Sequence, residues 1–490
     1  MHFIVKVFPE IIIKSPPVRK RFIRQLRDNI RSQVVEVSSD IRVSRDWEKV
    51  ELIASDAGLS DQEVAQREAR VTEILAHTPG IGSFLKVLEF PLGDMHQNFE
   101  QVLACWQGRL VGKTFCVRVK RSGRHDFTST DVERYIGGGL AQHTENAGVV
   151  LKKPDVTVRL EIKDDRLLVV SSLRRGLGGY PLGSQESVLS LISGGFDSTV
   201  STYLTMKRGI RTHFCFFNLG GRQHEMGVKE VSYFLWNKYG VSHPVKFITV
   251  PFEGVVSEIL QNVDNSYMGV VLKRMMMRAA SQVAAELKLP ALVTGESVAQ
   301  VSSQTLPNLN VIDRVTDTLV LRPLVTMDKG EIIDISRHIG TETFAASMPE
   351  YCGVISVRPT TRAKLDKVVA VEEKFDFAVL EQAVQNKIVS DVRDLAESVM
   401  PEQPLDIVSS LPVGGVIIDI RHPDEEALKP LAVGDAEVLK IPFYTLNNAL
   451  GQLEGEKRYY LYCDKGIMSQ LHASHLVEDG QSNIGVYRPE

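Results

Sequence analysis

The chain has 490 residues, 43% of them hydrophobic, and a formal net charge of -4. That length supports about three or four domains of roughly 100–200 residues each. No apolar run approaches the roughly 18 residues of a membrane-spanning helix. The N-terminal stretch MHFIVKVFPEIIIKS lacks the features of an export signal. These observations exclude a membrane-spanning protein and predict a soluble, multidomain protein.

The cysteines argue for a reducing compartment. There are five of them, an odd number, and they are widely separated without a CxxC pair. That spacing excludes a disulfide scaffold and a zinc ribbon, so we expect a cytoplasmic location. Three of them (Cys105, Cys116 and Cys215) lie inside apolar patterns typical of buried thiols. Cys352 and Cys463 instead follow predicted strands, where reactive thiols are more often found.

The first 60 residues are predicted to form the strands FIVKVF and VVEVSS around the helix VRKRFIRQLRDNIRSQV. This region is strongly basic, because positions 14 to 31 contain seven Lys or Arg residues and only one acid, Asp28. The basic residues are Lys14, Arg19, Lys20, Arg21, Arg24, Arg27 and Arg31. Such a face attracts phosphates, although a solvated surface would have the same composition.

Residues 61–173 are predicted to form an α+β module. Ser60 is a candidate N-cap, and Glu63 three residues later completes a capping box. A second basic stretch follows in GRLVGKTFCVRVKRSGRHDF, on a strand pattern that ends in a turn. Its candidate RNA-binding residues are Arg118, Lys120, Arg121 and Arg124. Two basic faces in one chain favour nucleic acid as a ligand, held mainly through its phosphates.

Strands and helices alternate over residues 174–395, which predicts a doubly wound, mainly parallel sheet with its ligand at the carboxyl ends of the strands. The stretch PEQPLD is typical of a linker. Residues 405–490 return to the same alternation, with strands predicted in GGVIIDIR, EVLKIPF, RYYLYC and NIGVYRP. The fold class is therefore a multidomain α/β protein.

The motif richest in chemistry is SGGFDS, which joins the predicted strand VLSLI to a helix. Gly194 and Gly195 allow a tight turn that brings backbone N–H groups to an anion at the positive end of the helix. Ser193 and Ser198 add hydroxyl donors, and Asp197 could hold Mg²⁺ against pyrophosphate. The motifs GxxxxGK[ST] and GxGxxG are absent at this strand, so other nucleotide loops are excluded here.

SGGFDS resembles the PP-loop of ATP pyrophosphatases, which cut ATP between its α and β phosphates to adenylylate an oxygen. The stretches MGVVLKRMMMRAA and ALVTGESVAQVSSQT fit the same family. From the residues alone, Lys273 is better explained as a surface lysine. The resemblance implies an ATP site formed by Leu191, Ile192, Ser193, Gly194, Gly195, Asp197, Ser198, Lys273, Gly295 and Gln304.

Compared end to end, the chain resembles the bacterial tRNA 4-thiouridine synthetases of the long form. The strings FNLGGRQHEMGV, LKRMMMRAAS, GESVAQVSSQT and MPEYCGVIS carry the resemblance, together with GGVIIDIRHPDEE and YLYCDKGIMS. The resemblance implies four domains, namely ferredoxin-like at 1–60, THUMP at 61–173, PP-loop ATP pyrophosphatase at 174–395 and rhodanese-like at 405–490. It also implies ATP and Mg²⁺ as cofactors and tRNA as the substrate, converted to 4-thiouridine at position 8.

The resemblance gives roles to two thiols. Cys463 would carry a persulfide, and Cys352 would release the sulfur and leave a Cys352–Cys463 disulfide for an outside reductant. Rhodanese loops typically read CxxGxR; Gly466 matches this pattern, but Met468 stands where arginine would be. The missing charge argues against thiosulfate as the donor and for an IscS-type cysteine desulfurase.

The resemblance further implies sulfur transfer to the ThiS carrier protein for the thiazole of thiamine, and it is compatible with a homodimer. Two other functions remain open from the residues. One is an amide-forming PP-loop ligase, which would need an ammonia source. The other is a non-enzymatic RNA-binding sulfur-relay protein with a vestigial nucleotide loop, against which the intact SGGFDS argues.

Overall fold

The computed structural model describes residues 1–219, 221–348 and 359–395 without a gap. Between 405 and 490 it describes all residues except 422–425, 428, 435, 443–445, 447–448, 450–452, 454–456, 465–466, 479 and 490. The chain divides into two compact units, Met1–Pro181 and Leu182–Glu490. Cys352 and Gly466 lie outside the described residues, as do residues 401–404 of the predicted linker.

The first unit is built on one seven-stranded sheet in the order β2-β3-β1-β4-β7-β6-β5. Its pairs are antiparallel except for β5 and β6, which run parallel. The strands are β1 His2–Val7, β2 Arg42–Arg45, β3 Lys49–Ile53, β4 Ile81–Pro91, β5 Phe115–Ser122, β6 Val156–Lys163 and β7 Arg166–Arg175. The helices are α1 Pro9–Ile12, α2 Pro16–Val34, α3 Asp61–His77, α4 Met95–Trp106 and α5 Ser129–His143.

Helix α2 shows how a basic sequence is anchored. Its buried side chains include Phe22, Leu26 and Ile30, which recur every four residues and therefore share one face. Lys20, Arg21 and other basic side chains lie on the remaining, exposed surface. The predicted strand VVEVSS is wrong, because α2 continues to Val34, whose side chain is packed in the core. Tertiary packing here outweighs the strand preference of β-branched residues.

The capping box predicted at the start of α3 is confirmed. Ser60 Oγ accepts a hydrogen bond from the backbone N–H of Glu63, and the Glu63 carboxylate accepts one from the backbone N–H of Ser60. The two contacts satisfy amides that have no partner inside the helix.

The second unit begins with a six-stranded sheet in the order β12-β11-β8-β9-β10-β13. All pairs are parallel except the edge pair β10 and β13. The strands are β8 Gln185–Leu191, β9 Ile210–Asn218, β10 Lys246–Pro251, β11 Ala291–Val293, β12 Leu319–Leu321 and β13 Ile388–Asp391. The helices are α6 Phe196–Lys207, α7 Gly221–Leu235, α8 Glu253–Asn262, α9 Met268–Glu286, α10 Leu306–Asp313, α11 Lys329–Ile339, α12 Glu342–Ser347, α13 Leu365–Glu372 and α14 Phe377–Gln385.

The strand order of this sheet fixes where a ligand can bind. The chain proceeds from β8 through β9 to β10 on one side, and then returns to place β11 and β12 on the other. The connection after β8 leads to β9, and the connection after β11 leads to β12, in the opposite direction along the sheet. This divergence opens a crevice at the carboxyl ends of β8 and β11. SGGFDS follows β8, and the stretch that starts with Thr294 follows β11, so both predicted ATP segments border this crevice.

The last part of the chain forms a five-stranded, fully parallel sheet in the order β14-β18-β17-β15-β16. Its strands are β14 Ile407–Val408, β15 Val416–Asp419, β16 Val438–Lys440, β17 Tyr459–Tyr462 and β18 Ile484–Tyr487, and helix α15 spans Ile467–Glu478. Here the order reverses between β15 and β17. The predicted α/β fold with parallel sheets is confirmed. Within the described residues, no helix is long and apolar enough to span a membrane.

Candidate active site

The SGGFDS loop leaves β8 and starts α6 with its amides open. Gly195 is the N-cap residue of α6, and it offers no side chain to cap the first turn. Gly194 has a φ of +83°, a left-handed conformation that favours glycine. The backbone N–H groups of the first turn are therefore available to an anion, which also benefits from the positive end of the helix.

The two serines of the loop bond to each other and to the backbone. Ser198 Oγ lies 3.2 Å from Ser193 Oγ and donates a hydrogen bond of 3.2 Å to the carbonyl of Gly195. The backbone N–H of Ser193 donates to Ser198 Oγ at 3.2 Å. These contacts fix the curvature of the loop before any ligand binds.

Asp197 is held by two side chains that the sequence analysis did not single out. Lys329 Nζ donates to Asp197 Oδ1 at 2.8 Å, and Gln300 Nε2 donates to Asp197 Oδ2 at 2.7 Å. Gln300 follows β11, and Lys329 follows β12, so both come from the carboxyl edge of the sheet. That shared edge is the signal that could have identified them.

A capping box fixes the position of Lys329 at the first residue of α11. Asp328 accepts a hydrogen bond from the backbone N–H of Glu331 at 2.9 Å, and Glu331 accepts one from the N–H of Asp328 at 3.1 Å. The Lys329 ammonium also lies 5.3 Å from the ring centre of Phe196, within the range of a cation–π contact. The cation is thus placed directly over the nucleotide loop.

These contacts bear on the predicted magnesium ion. Both Asp197 oxygens already accept hydrogen bonds, one of them from a cation. No group of three potential metal ligands among His, Cys, Asp and Glu occurs in the part of the chain that the structure describes. Mg²⁺ needs oxygen ligands from carboxylates or phosphates. The described residues therefore do not form a complete metal site by themselves, and Asp197 would hold Mg²⁺ only together with the phosphates of ATP.

Lys273 belongs to a buried charge network. Its Nζ lies 3.1 Å from Glu296 Oε1, and Arg322 Nε lies 2.8 Å from Glu296 Oε2. Burial alone would raise the pKa of Glu296, but the two cations lower that pKa to about 2. Glu296 is therefore an anion at neutral pH, and it holds Lys273 at the carboxyl end of β11.

The other predicted ATP residues lie on both sides of the crevice. Leu191 ends β8 and Ile192 follows it, and Ile192 N donates to the carbonyl of Cys215 at 2.9 Å. Gly295 packs so closely on the loop that a methyl group there would lie 2.6 Å from the carbonyl carbon of Asp197. Gln304 is buried, and its Oε1 has no hydrogen-bond partner among the described residues. A buried acceptor of this kind suits an amino donor such as that of adenine.

Helix α7 also contacts the loop, through a residue absent from the prediction. His224 Nε2 lies 3.2 Å from the carbonyl oxygen of Ser193. Burial lowers the pKa of His224, which favours the neutral ring as a hydrogen-bond donor.

Glu230, on the same helix, lies 3.9 Å from His472 of α15, measured between Oε1 and Nε2.

Cys463 directly follows β17, next to the point where the strand order of the last sheet reverses. The backbone N–H of Ser469, in the first turn of α15, donates to Cys463 Sγ at 3.3 Å. Ser469 Oγ lies 3.5 Å from the same sulfur. Donation from a helix N-terminus stabilises a thiolate. The side chain of Met468 is outside the described part of the loop.

A buried arginine, Arg421, forms hydrogen bonds to two carboxylates beside the Cys463 loop. Arg421 Nε donates to Asp419 Oδ1 at 2.8 Å, and one of its terminal nitrogens donates to Asp464 Oδ1 at 3.0 Å. The guanidinium also lies 5.0 Å from the ring centre of Tyr462. Arg421 thus links the end of β15, through Asp419, to the residue that follows Cys463, Asp464.

Two relationships concern the remaining predicted site residues. Met348 packs against the nucleotide loop, since a methyl group at Gly194 would lie 3.0 Å from its Sδ. Cys352 itself lies outside the described residues.

In the first unit, β5 is an edge strand, on which Arg118 and Lys120 are exposed. Arg121 lies 3.1 Å from the ring of His125, and Arg124 is exposed in the following turn.

Comparisons with known proteins identify related families and a related fold. A family model described as Thiamine biosynthesis protein (ThiI) matches residues 183–377, and a THUMP domain model matches residues 94–171. A solved 4-thiouridine synthetase, in complex with RNA and with bound ATP, has a TM-score of 0.69 and 24% identity, covering 80% of this chain and 99% of that chain. A Pyrococcus horikoshii protein has a TM-score of 0.51 and 16% identity, covering 69% of this chain and 100% of that chain.

The curated relatives extend the match over the full length. The tRNA sulfurtransferase of Saccharophagus degradans is 54% identical over 489 residues, covering 100% of both chains. Those of Aeromonas salmonicida and Edwardsiella ictaluri are each 53% identical over 490 residues, with the same coverage. The solved structures show the fold, and the full-length identity shows the family. The chain belongs to the tRNA sulfurtransferases.

Proposed function

We propose that this enzyme uses ATP to convert uridine 8 of tRNA into 4-thiouridine. The observation that carries the proposal is the uncapped N-terminus of α6, where Gly194 and Gly195 leave backbone amides open beside Asp197 and Lys329. A helix N-terminus with an adjacent cation suits the phosphates of ATP. The bound ATP named for the solved 4-thiouridine synthetase supports the same ligand here.

The first half-reaction activates an oxygen. The uracil O4 attacks the α-phosphorus of ATP, the bond between that phosphorus and the bridging oxygen breaks, and pyrophosphate leaves. The base loses its N3 proton to solvent in forming the adenylyl ester. Negative charge grows on the phosphate oxygens during this step, and the α6 amides and Lys329 are placed to stabilise it. Asp197 positions Lys329, and Gln300 positions Asp197.

The second half-reaction supplies sulfur. The outer sulfur of a Cys463 persulfide attacks C4 of the base, and AMP leaves with the oxygen. The thiolate of Cys352 then attacks Cys463 Sγ, which breaks the sulfur–sulfur bond, releases 4-thiouridine and forms a Cys352–Cys463 disulfide. An outside dithiol reductant supplies the two electrons that reopen it. Cys352 follows Met348 by four residues in the sequence, and Met348 contacts Gly194 of the loop.

The source of sulfur is part of the proposal. An IscS-type cysteine desulfurase donates its persulfide sulfur to the Cys463 thiolate, which the N–H of Ser469 stabilises. The same Cys463 persulfide serves the ThiS carrier protein in thiamine synthesis. The last sheet, residues 405–490, is then the rhodanese-like domain, while residues 1–60, 61–173 and 174–395 are the ferredoxin-like, THUMP and PP-loop domains. The exposed Arg118, Lys120 and Arg124 contact tRNA phosphates.

The test is thiolation of unmodified tRNA with ATP, cysteine and a purified cysteine desulfurase. Two products are measured: released pyrophosphate, and 4-thiouridine by its absorbance. Wild-type enzyme should give both products. Asp197→Ala should lose both, whereas Cys463→Ala and Cys352→Ala should lose multiple turnover of thiolation. Cys105→Ala, a half-buried thiol on α4, is the matched control and should retain activity. Absence of tRNA-dependent pyrophosphate release from the wild type would favour the non-enzymatic relay instead.

A further inference from the structure

A cleft of about 630 Å³ opens beside Asp197. Its walls are the loop after β11, the loop after β12 and the first residue of α10. The lining residues include Val298, Gln300, Leu306, Val325, Met327 and Lys329. The volume falls within the roughly 300–1,000 Å³ of small-ligand sites.

The two loops are fastened to each other, so the cleft has a fixed floor. Ser297 Oγ donates to the carbonyl of Met327 at 2.7 Å, and the backbone N–H of Val298 donates to the carbonyl of Val325 at 3.1 Å. Ala299 has a φ of +64°, which is uncommon for a residue other than glycine. Such conformations concentrate at ligand sites, and this one sets the direction of the next residue, Gln300.

The cleft adjoins the ATP site without sharing its residues. None of the residues that the family resemblance assigns to ATP lines it. Gln300 and Lys329 nevertheless form its wall and also contact Asp197. A molecule in the cleft would therefore lie next to the SGGFDS loop. The second substrate also has to lie near this loop, because it reacts with the ATP that is proposed to bind there.

The orientation of Gln300 leaves one of its polar atoms without a partner among the described residues. A carboxylate only accepts hydrogen bonds, so the amide nitrogen of Gln300 must face Asp197, and Oε1 must face away. Gln300 Oε1 is buried and has no hydrogen-bond partner among the described residues. A buried acceptor without a partner costs free energy, which a ligand donor would recover.

We propose that this cleft binds the target uracil of tRNA, with the N3–H group of the base donating to Gln300 Oε1. This inference rests on the proposed function. The apolar side chains of Val298 and Leu306 are partly exposed and would cover the faces of a base taken out of its stack. Uracil carries N3–H next to the C4 oxygen that reacts, whereas cytosine carries an acceptor at N3. The Gln300 acceptor therefore also selects uracil over cytosine.

The first test blocks the cleft. Val298→Trp places a large ring among the lining residues, and Val301→Trp, in the same loop but outside the lining, is the matched control. We expect Val298→Trp to bind ATP and tRNA within about twofold of wild type but to lose at least about 10²-fold in single-turnover thiolation. Val301→Trp should keep wild-type activity.

Three results of this test would overturn the inference: wild-type thiolation by Val298→Trp, loss of its ATP or tRNA binding, or an equal loss in Val301→Trp. Failure of the wild-type enzyme to thiolate tRNA is a different outcome, because it removes the proposed function itself.

The second test changes the base. Transfer RNA with 3-deazauridine at position 8 lacks the N3 donor but can still form the ester, because its C4 hydroxyl loses the proton. Wild-type enzyme should release pyrophosphate with this tRNA at least about 10²-fold more slowly than with the uridine form. Gln300→Ala should react slowly with both but discriminate between them by less than about threefold, since it has no acceptor to leave unpaired. If Gln300 only positions Asp197, both rates fall and the ratio keeps its wild-type value, which would reject the hydrogen bond to N3.

Discussion

The ammonium group of Lys329 lies 2.8 Å from Asp197 Oδ1, although 132 positions separate the two residues in the chain. Their contact joins the start of α11 to the start of α6, and with them the loops that follow β12 and β8. The acid of the SGGFDS motif therefore acts together with a cation placed by another loop of the same crevice.

Removing this cation should impair activation of the substrate. In Lys329→Gln, we expect tRNA-dependent pyrophosphate release to fall about 10²-fold, because one positive charge no longer stabilises the phosphates in the transition state. Lys367→Gln, an exposed lysine on α13, is the control for a changed net charge. Equal rates in the two variants would remove Lys329 from the mechanism.

Gly295 should be sensitive to the smallest added side chain. Gly295→Ala places a methyl group 2.6 Å from the carbonyl carbon of Asp197 and 2.8 Å from Ser198 N, both of them backbone atoms that cannot rotate away. We expect the SGGFDS loop to shift and ATP affinity to fall at least about tenfold. Calorimetric titration with a non-hydrolysable ATP analogue measures this. In Gly254→Ala the nearest atom is a Val379 methyl at 3.4 Å, and binding should not change.

Glu372 should be a main determinant of stability in the second unit. It forms a bidentate pair with the buried Arg274, with Nε–Oε1 at 2.5 Å and a second contact at 2.8 Å. Glu372→Gln leaves the arginine charge buried without a counterion and should lower the free energy of unfolding by about 3 kcal/mol. Glu373→Gln is the exposed neighbour and should change it little.

Urea unfolding followed by the fluorescence of Trp236 tests this, in a chain whose Trp47 and Trp106 are replaced by Phe so that only the second unit reports. Coincident midpoints for Glu372→Gln and Glu373→Gln would contradict the expected difference.

Glu230 should make stability depend on pH. Burial raises its pKa to about 8, above the ordinary value of 4.5. The folded state therefore holds the proton more tightly than the unfolded chain. This contribution is complete below pH 4.5 and declines by up to about 1.4 kcal/mol per pH unit until about pH 8. Glu230→Gln should remove that decline in the Trp236 urea midpoint while leaving His472 in place, whereas the exposed Glu253→Gln should retain it.

The sequence predicted the strand, tight turn and helix around SGGFDS well, because its information is local: two glycines and two hydroxyls between a strand and a helix. It could not find Gln300 and Lys329, because their contacts with Asp197 span 103 and 132 positions. Lys273 was assigned to phosphate, but the structure adds its pairing with Glu296, which no local pattern indicates. The predicted strand VVEVSS failed for a related reason, since burial of Val34 against distant residues extends α2.

The hydrogen bond from the Ser469 N–H to Cys463 Sγ has a consequence for how the enzyme resets. In the proposed cycle each turnover ends with a Cys352–Cys463 disulfide. A thiolate stabilised by an N–H donor is the better leaving group in thiol–disulfide exchange. The reductant should therefore attack the sulfur of Cys352 and expel Cys463 first. The sulfur acceptor would then be ready for reloading while Cys352 is still bound to the reductant.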